Sequence, residues 1–232
     1  MKGLQQLSSV VLLSSLCLLA APMAYSSAPA DERNTPKKLV IDRQDIKVWT
    51  YHLAGNPSFN YRATTIMKTN VVGAVAAIMD TQYLKEWVPH TRRVELLDSN
   101  EQAGTFSMLM EIDFPFPFSD RDVVFSGTVK QQANGTVLIE NRATTHPKAP
   151  LRSDFLRVTA YEGSWILRPI DATHTEITTI GYADPGGILP LAIVNMFVLQ
   201  QPYLMLRNMK NVVQSARYQR AKLFNLKNIA PQ

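Results

Sequence analysis

Between Thr105 and Phe114 the chain reads TFSMLMEIDF. In an extended chain Phe106, Met108, Met110, Ile112 and Phe114 fall on one side. Thr105, Ser107, Glu111 and Asp113 fall on the other, with Leu109 the exception. A helix would scatter these apolar residues around its axis, whereas a strand collects them on one face. The segment therefore predicts a strand in an antiparallel sheet with one buried and one wet face. Val123–Gln131 alternates less cleanly. The Asn-Gly pair in ANGT (133–136) is a hairpin signal, so Val137–Ala143 should return antiparallel. Residues 144–154, TTHPKAPLRSD, read as a loop. Two more strands are expected at Phe155–Arg168, with a bulge at Gly163, and at Thr175–Ala183.

Upstream, Ile46–Leu53 and Phe59–Met67 read as strands joined by the turn AGNPS. Asn70 is placed to cap a helix over Val71–Met79, and a shorter helix over Gln82–Trp87 stops at Pro89. Downstream, DPGGILP ends the sheet. Leu189–Leu223 then reads as one long helix kinked at Pro202, which has no amide hydrogen. Its first half is apolar on nearly every face and its second half is amphipathic and basic. This order predicts an α+β fold in which a curved antiparallel sheet wraps around a long C-terminal helix. One domain spans residues 39–226, with a tail at 227–232.

The N-terminus has a different character. Lys2 precedes an apolar stretch from Val10 to Ala21, and small residues follow at Ala24 and Ser26. This is the pattern of an export signal over residues 1–26, too short to span a bilayer as a helix. Cys17, the only cysteine, lies inside it, so the mature chain would depend on its core and not on disulfides. Residues 27–38 read as a mobile leader. A periplasmic or secreted location follows. The formal charge is +5 and unevenly spread: six cations and no acid follow Asp184. Among them Arg207, Lys210 and Arg217 are candidates for docking on an anionic membrane surface. An exported chain has little access to nucleic acid, so no nucleic-acid partner is expected, and the expected state is a monomer.

Catalytic and metal-binding signatures are missing from the sequence. There is no G-x-S-x-G, H-E-x-x-H or glycine-rich phosphate loop, and the four histidines stand far apart. No catalytic residue, cofactor or metal is expected. Arg121, between Asp120 and Asp122, reads as the centre of a salt-bridge group.

The pieces YRATTIM, IMDTQYLKEWVP, FPFSDRDVVF, DFLRVTAYEGSWILRP and YADPGGILPLAIVNMFVLQQP, in this order and spacing, resemble the START family of StAR-related lipid-transfer domains. The resemblance covers about residues 40–225. It implies a helix-grip fold with a hydrophobic tunnel between sheet and terminal helix, and no cofactor. The acid–base pair of the cholesterol-carrying member is not matched: its positions fall near Leu109 or Met110 and at Gly127. On this view Phe106, Met108, Met110 and Phe125 line one tunnel wall, and Ile193, Met196, Phe197 and Leu204 the other. The proline-stiffened loop holding Phe114, Phe116 and Phe118 becomes a gate at the mouth. The expected function is non-enzymatic binding and transfer of a lipid or similar hydrophobic molecule. Two alternatives stay open: a helix-grip enzyme of the cyclase or hydrolase type, and a ligand-sensing module that docks a protein partner.

Overall fold

The computed structural model describes Glu32 and residues 35–53, 60–223 and 225–229. The export signal, most of the leader and the AGNPS turn lie outside the described residues. Ten strands form one sheet in the order β1-β2-β3-β10-β9-β7-β6-β5-β4, with β8 paired to β6. They are β1 (Lys38–Arg43), β2 (Ile46–Tyr51), β3 (Asn60–Met67), β4 (Thr91–Asn100) and β5 (Thr105–Ile112). The rest are β6 (Asp120–Gln131), β7 (Val137–Ala143), β8 (Phe155–Arg157), β9 (Ala160–Pro169) and β10 (Thr175–Asp184). Every pairing is antiparallel except β6 with β8. Between β3 and β4 come α1 (Val71–Met79) and α2 (Leu84–Trp87). After β10 come α3 (Leu191–Asn195), a π-helical turn (Met196–Gln200), α4 (Gln201–Val212) and α5 (Ala216–Gln219).

Local chemistry accounts for most of these elements. The Asn70 side chain accepts from the Gly73 amide at 2.8 Å and starts α1, whose face Val71, Val72, Ala74, Val75 and Ile78 is buried. Gly135 takes φ +85° in the β6–β7 turn, which closes with Gln132 N–H donating to Thr136 O at 2.8 Å. The β1–β2 turn places Gln44 and Asp45 at φ +52° and +58°. Its tip docks on α4: the Tyr203 hydroxyl donates to Gln44 Oε1 at 2.7 Å, and Lys210 Nζ donates to Gln44 O at 2.9 Å. One continuous core joins β2, β3 and β10, the inward residues of β5, β6, β7 and β9, α1, α2 and α4 through Ile46, Ala63, Ile139, Leu167, Ile177 and Leu206.

Several expectations need correction. The outer face of β5 is not wet. Leu109 and Glu111 are buried there, Leu109 in a second small core with Leu97, Val124 and Ala149. The 144–158 segment covers it, and Arg152 holds Glu111 at 2.9 Å. Leu109 broke the alternation because both faces of β5 are packed. Phe155–Arg168 is not one strand. β8 runs parallel to the start of β6, and β9 then joins β7 and β10. The break follows the buried ion pair of Arg157 with Asp122, 2.7 Å between Nε and Oδ1. Gly163 is not a bulge, because the β9 register runs unbroken on both sides of it. The terminal helix ends at Val212 instead of Leu223, and the chain turns so that Arg217 and Tyr218 both reach Asp80 at the end of α1. The interruption expected at Pro202 takes the form of the π-helical turn before it, and Pro202 itself sits in the first turn of α4, where no amide hydrogen is needed.

Candidate functional site

A cavity of about 340 Å³ lies between the concave face of the sheet and the α3–α4 span. On β5 and β6 its wall is Phe106, Met108, Met110, Val123 and Phe125. Antiparallel pairing puts Met108 opposite Phe125, and the rings of Phe106 and Phe125 meet edge to face at 6.4 Å. Trp87 and Trp165 meet edge to face at 6.0 Å and line the same space. On the helical side the wall is Val194, Phe197, Val198, Pro202 and Met205. Ile193, Met196 and Leu204, expected there, do not line the cavity; Leu204 packs on the core instead. Of the four expected residues Phe197 alone lies in this lining, where Val194, Val198, Pro202 and Met205 accompany it at helical spacing. The run LAIVNMFVL is apolar all round, so it carries no periodicity from which a phase could be read.

The mouth is built by two loops and one arginine. Phe114 lines the cavity and stacks on Phe197 from the π-helical turn, with centroids 4.4 Å apart. Phe116 is 95% exposed and points away, and Phe118 is half-buried outside the lining. Facing them, Pro185, Gly187 and Leu189 line the other side of the mouth, and Ile188 is 99% exposed. Arg121 rivets the two loops. Its guanidinium lies 4.2 Å from the centroid of Phe114 and donates to Pro185 O at 3.1 Å and Gly186 O at 3.0 Å, as well as to Ser119 O. It is no salt-bridge centre. Its neighbours pair elsewhere, Asp120 with Arg92 and Asp122 with Arg157. Alternation explains this: Arg121 faces inward, so the aspartates on either side face outward. Burial pulls the Arg121 guanidinium below its ordinary pKa. Asp120 accepts from the Phe114 amide at 2.9 Å, and this bond, with Arg92 beside it, holds its carboxyl below the usual range.

A row of residues crosses the sheet further in. Phe106, Gly127, Asn141, Gly163, Gly181 and Tyr61 stand opposite one another on β5, β6, β7, β9, β10 and β3. Opposite residues share a face, so all belong to the concave side. Tyr161, two residues before Gly163 on β9, also lines the cavity, and Tyr61 hydrogen-bonds Thr179. Sequence reasoning missed this row because its members lie on six strands and only the register assembles them.

Among the described residues no group of three His, Cys, Asp or Glu side chains could hold a metal ion, and no helix is long and apolar enough to cross a membrane. Arg217 pairs with Asp80 at 2.7 Å and lies over the Tyr83 ring. Arg207 bonds Asn208 Oδ1, and Lys210 reaches Gln44 O.

The family model described as the START domain matches residues 33–219. The chain belongs to the START family. That family binds and transfers lipids, and its fold is the helix-grip arrangement seen here. An uncharacterized protein of Pseudomonas aeruginosa is 29% identical, covering 76% of this chain and 86% of its own. The mitochondrial StAR-related lipid transfer protein 7 of Mus musculus is 26% identical over 63% of this chain, which spans only 40% of that longer protein. The crystal structure of a STAR-related lipid transfer protein fragment from Xanthomonas axonopodis superimposes with a TM-score of 0.69 at 26% identity, covering 77% of this chain and 99% of the fragment.

Proposed function

We propose that this START domain carries one lipid, or a similar apolar molecule, in its cavity and moves it between membranes without chemical change. The observation that carries this reading is an apolar cavity in whose lining Phe114 of the β5–β6 loop stacks on Phe197 of the π-helical turn. Ligand sites are concave and mostly apolar with a few placed polar groups, which matches this lining. A carrier must hide its cargo in water and release it at a bilayer, and two loops riveted by one arginine provide a part that opens while the sheet stays intact. Phe116 and Ile188 stand out at the mouth, one on each loop, and would enter the bilayer surface first. Each buries apolar area worth about 1.5–3 kcal/mol on insertion. Arg207 and Lys210 add attraction to anionic lipid, whereas Asp80 already neutralises Arg217. On the reading of residues 1–26 as an export signal, the carrier works as a monomer outside the cytoplasm, which cell fractionation checks.

The test is transfer of a fluorescent lipid from donor to acceptor vesicles, with native mass spectrometry of the protein purified without detergent. Transfer proportional to protein concentration and one unmodified lipid per chain are expected. Phe116→Ser with Ile188→Ser should weaken vesicle binding at least tenfold, at about 1.4 kcal/mol per factor of ten. A folded protein that takes up no lipid overturns the reading.

A further inference from the structure

We propose that the outer face of the sheet holds a second binding site, a trough on β4, β5 and β6 whose hydroxyl floor takes one ring of an uncharged sugar. The trough lies on the opposite face from the cavity, and the inference does not rest on the carrier reading.

Strand register builds the floor. Ser107 stands opposite Ser126, and Thr105 opposite Thr128, on β5 and β6. On β4, Asp98 stands opposite Ser107 and Asn100 opposite Thr105. Phe106 faces the cavity, so Thr105 and Ser107 on either side of it face outward. Opposite residues share a face, so the four hydroxyls form a grid about 5 Å across the strands and about 7 Å along them. A hollow of about 200 Å³ lies over this grid, with Asp98 and Asn100 in its wall. On the other side β7 sets Arg142 opposite Ser126 and Glu140 opposite Thr128. Toward the mouth the next outward pair, Leu109 and Val124, packs under Ala149 of the 144–158 segment, which closes that end.

The hydroxyls of the floor are unused. Among the described residues nothing bonds those of Thr105, Ser107, Ser126 and Thr128, although Thr128 is only 9% exposed. Polar groups so far from water are ordinarily paired. Facing Ser and Thr side chains stabilise a sheet when they bond one another, and branched or aromatic residues would pack this face better. At the rim, Asp98 Oδ1 accepts from the Ser99 amide and Asn100 Oδ1 from the Ala103 amide, each at 2.9 Å. These bonds fix both side chains and leave Asp98 Oδ2 to accept and Asn100 Nδ2 to donate.

A hydroxyl donates and accepts at once, so a grid of hydroxyls suits a ligand that is itself an array of hydroxyls. Opposite hydroxyls of a six-membered sugar ring span a distance similar to the cross-strand spacing. Asp98 Oδ2 would accept from one ring hydroxyl and Asn100 Nδ2 would donate to the next. Charge selects against other ligands. Asp98 is the one charged residue in the lining, so a phosphate or a carboxylate is repelled. A divalent cation would need several carboxylates where the trough supplies one.

The full chain, isotope-labelled, is titrated with methyl glucoside, methyl galactoside and N-acetylglucosamine, each to about 50 mM, and amide shifts are followed by NMR. At least one sugar should shift the Ser107, Ser126 and Thr128 amides with a Kd of about 1–10 mM, as a few net hydrogen bonds on an open face provide. Ser126→Ala with Thr128→Val, which keep the shape of the floor, should weaken that binding by about tenfold. Ser107→Leu, which fills the trough, should abolish it, and the double variant carries the test if Ser107→Leu fails to fold. Flotation with dioleoylphosphatidylcholine vesicles, with and without monogalactosyl diacylglycerol, then identifies the source of the sugar. A gain in binding from the glycolipid that the double variant loses assigns it to a membrane headgroup, and free-sugar binding without that gain assigns it to a soluble glycan. No shift with any of the three sugars, or shifts that survive both variants, overturns the site.

Discussion

The rings of Phe114 and Phe197 lie 4.4 Å apart and 14° from parallel, one from the β5–β6 loop and the other from the π-helical turn. They join two segments that share no backbone ladder, so the mouth is held by side chains alone. An aromatic pair of this kind contributes about 0.5–1.5 kcal/mol beyond its area. Phe114→Ala should therefore speed lipid exchange between vesicles by about two- to tenfold, with little change in the urea midpoint, because both rings are only half-buried. An unchanged exchange rate would move the gate elsewhere.

Asp122 and Arg157 form a bidentate pair, 2.7 and 2.8 Å, with side chains 1% and 10% exposed. Arg157→Met leaves a buried carboxylate without its partner and should cost about 3–5 kcal/mol in urea unfolding. Asp122→Leu combined with Arg157→Met should recover much of that loss. A single Arg157→Met variant as stable as the parent would show that water reaches the carboxylate.

Acid should loosen the mouth. The folded-state pKa of Asp120 is depressed, chiefly by the bond from the Phe114 amide and then by Arg92. A depressed carboxyl contributes stability that is present above its unfolded pKa, near 3.9, and is lost as pH falls through the lower folded value. Hydrogen exchange at the Phe114 amide should rise relative to the sheet as pH drops below about 4. Asp120→Asn should remove that step. A profile identical in parent and variant would detach the loop from this carboxylate.

Two glycines of the same row should behave differently. A Cβ on Gly127 would meet the Glu140 carbonyl oxygen at 2.4 Å, backbone that cannot swing aside. Gly127→Ala should destabilise the fold by about 1–3 kcal/mol, read from chemical denaturation. At Gly163 the atoms met are ends of the Asn141 and Tyr161 side chains. Gly163→Ala should change ligand uptake more than stability. Equal stability losses in the two variants would contradict this division.

Strong periodicity was legible and weak periodicity was not. β5, β6, β7 and α1 stand where alternation, the Asn-Gly turn and the Asn70 cap place them. β1 and β4 escaped notice. Both are edge strands, and their burial is thin, with Leu97 the one fully buried residue of β4. A strand that packs on one neighbour needs little hydrophobic pattern to hold its place. The split of β8 from β9 was hidden as well, because it follows a pairing with a strand more than thirty residues earlier.

For the cavity the division is similar. The inward run Phe106, Met108 and Met110 follows from the period of two, because successive side chains of a strand must point to opposite faces. The uniformly apolar run before Pro202 pointed to a helix, which is half-buried there, but not to which side would face the cavity. Packing against the sheet kept the expected Phe197 and set Val194, Val198 and Met205 beside it in place of Ile193, Met196 and Leu204. Arg121 is flanked by aspartates in sequence and bonded to the carbonyls of another loop in space, since neighbours along a strand face apart. The gathering of Asn141, Gly163, Gly181 and Tyr61 into one polar spot was decided only by strand register. Turn geometry and face pattern fix register within a hairpin, but the β3–β10 and β7–β9 pairings join strands that are not consecutive, and no local turn sets their register.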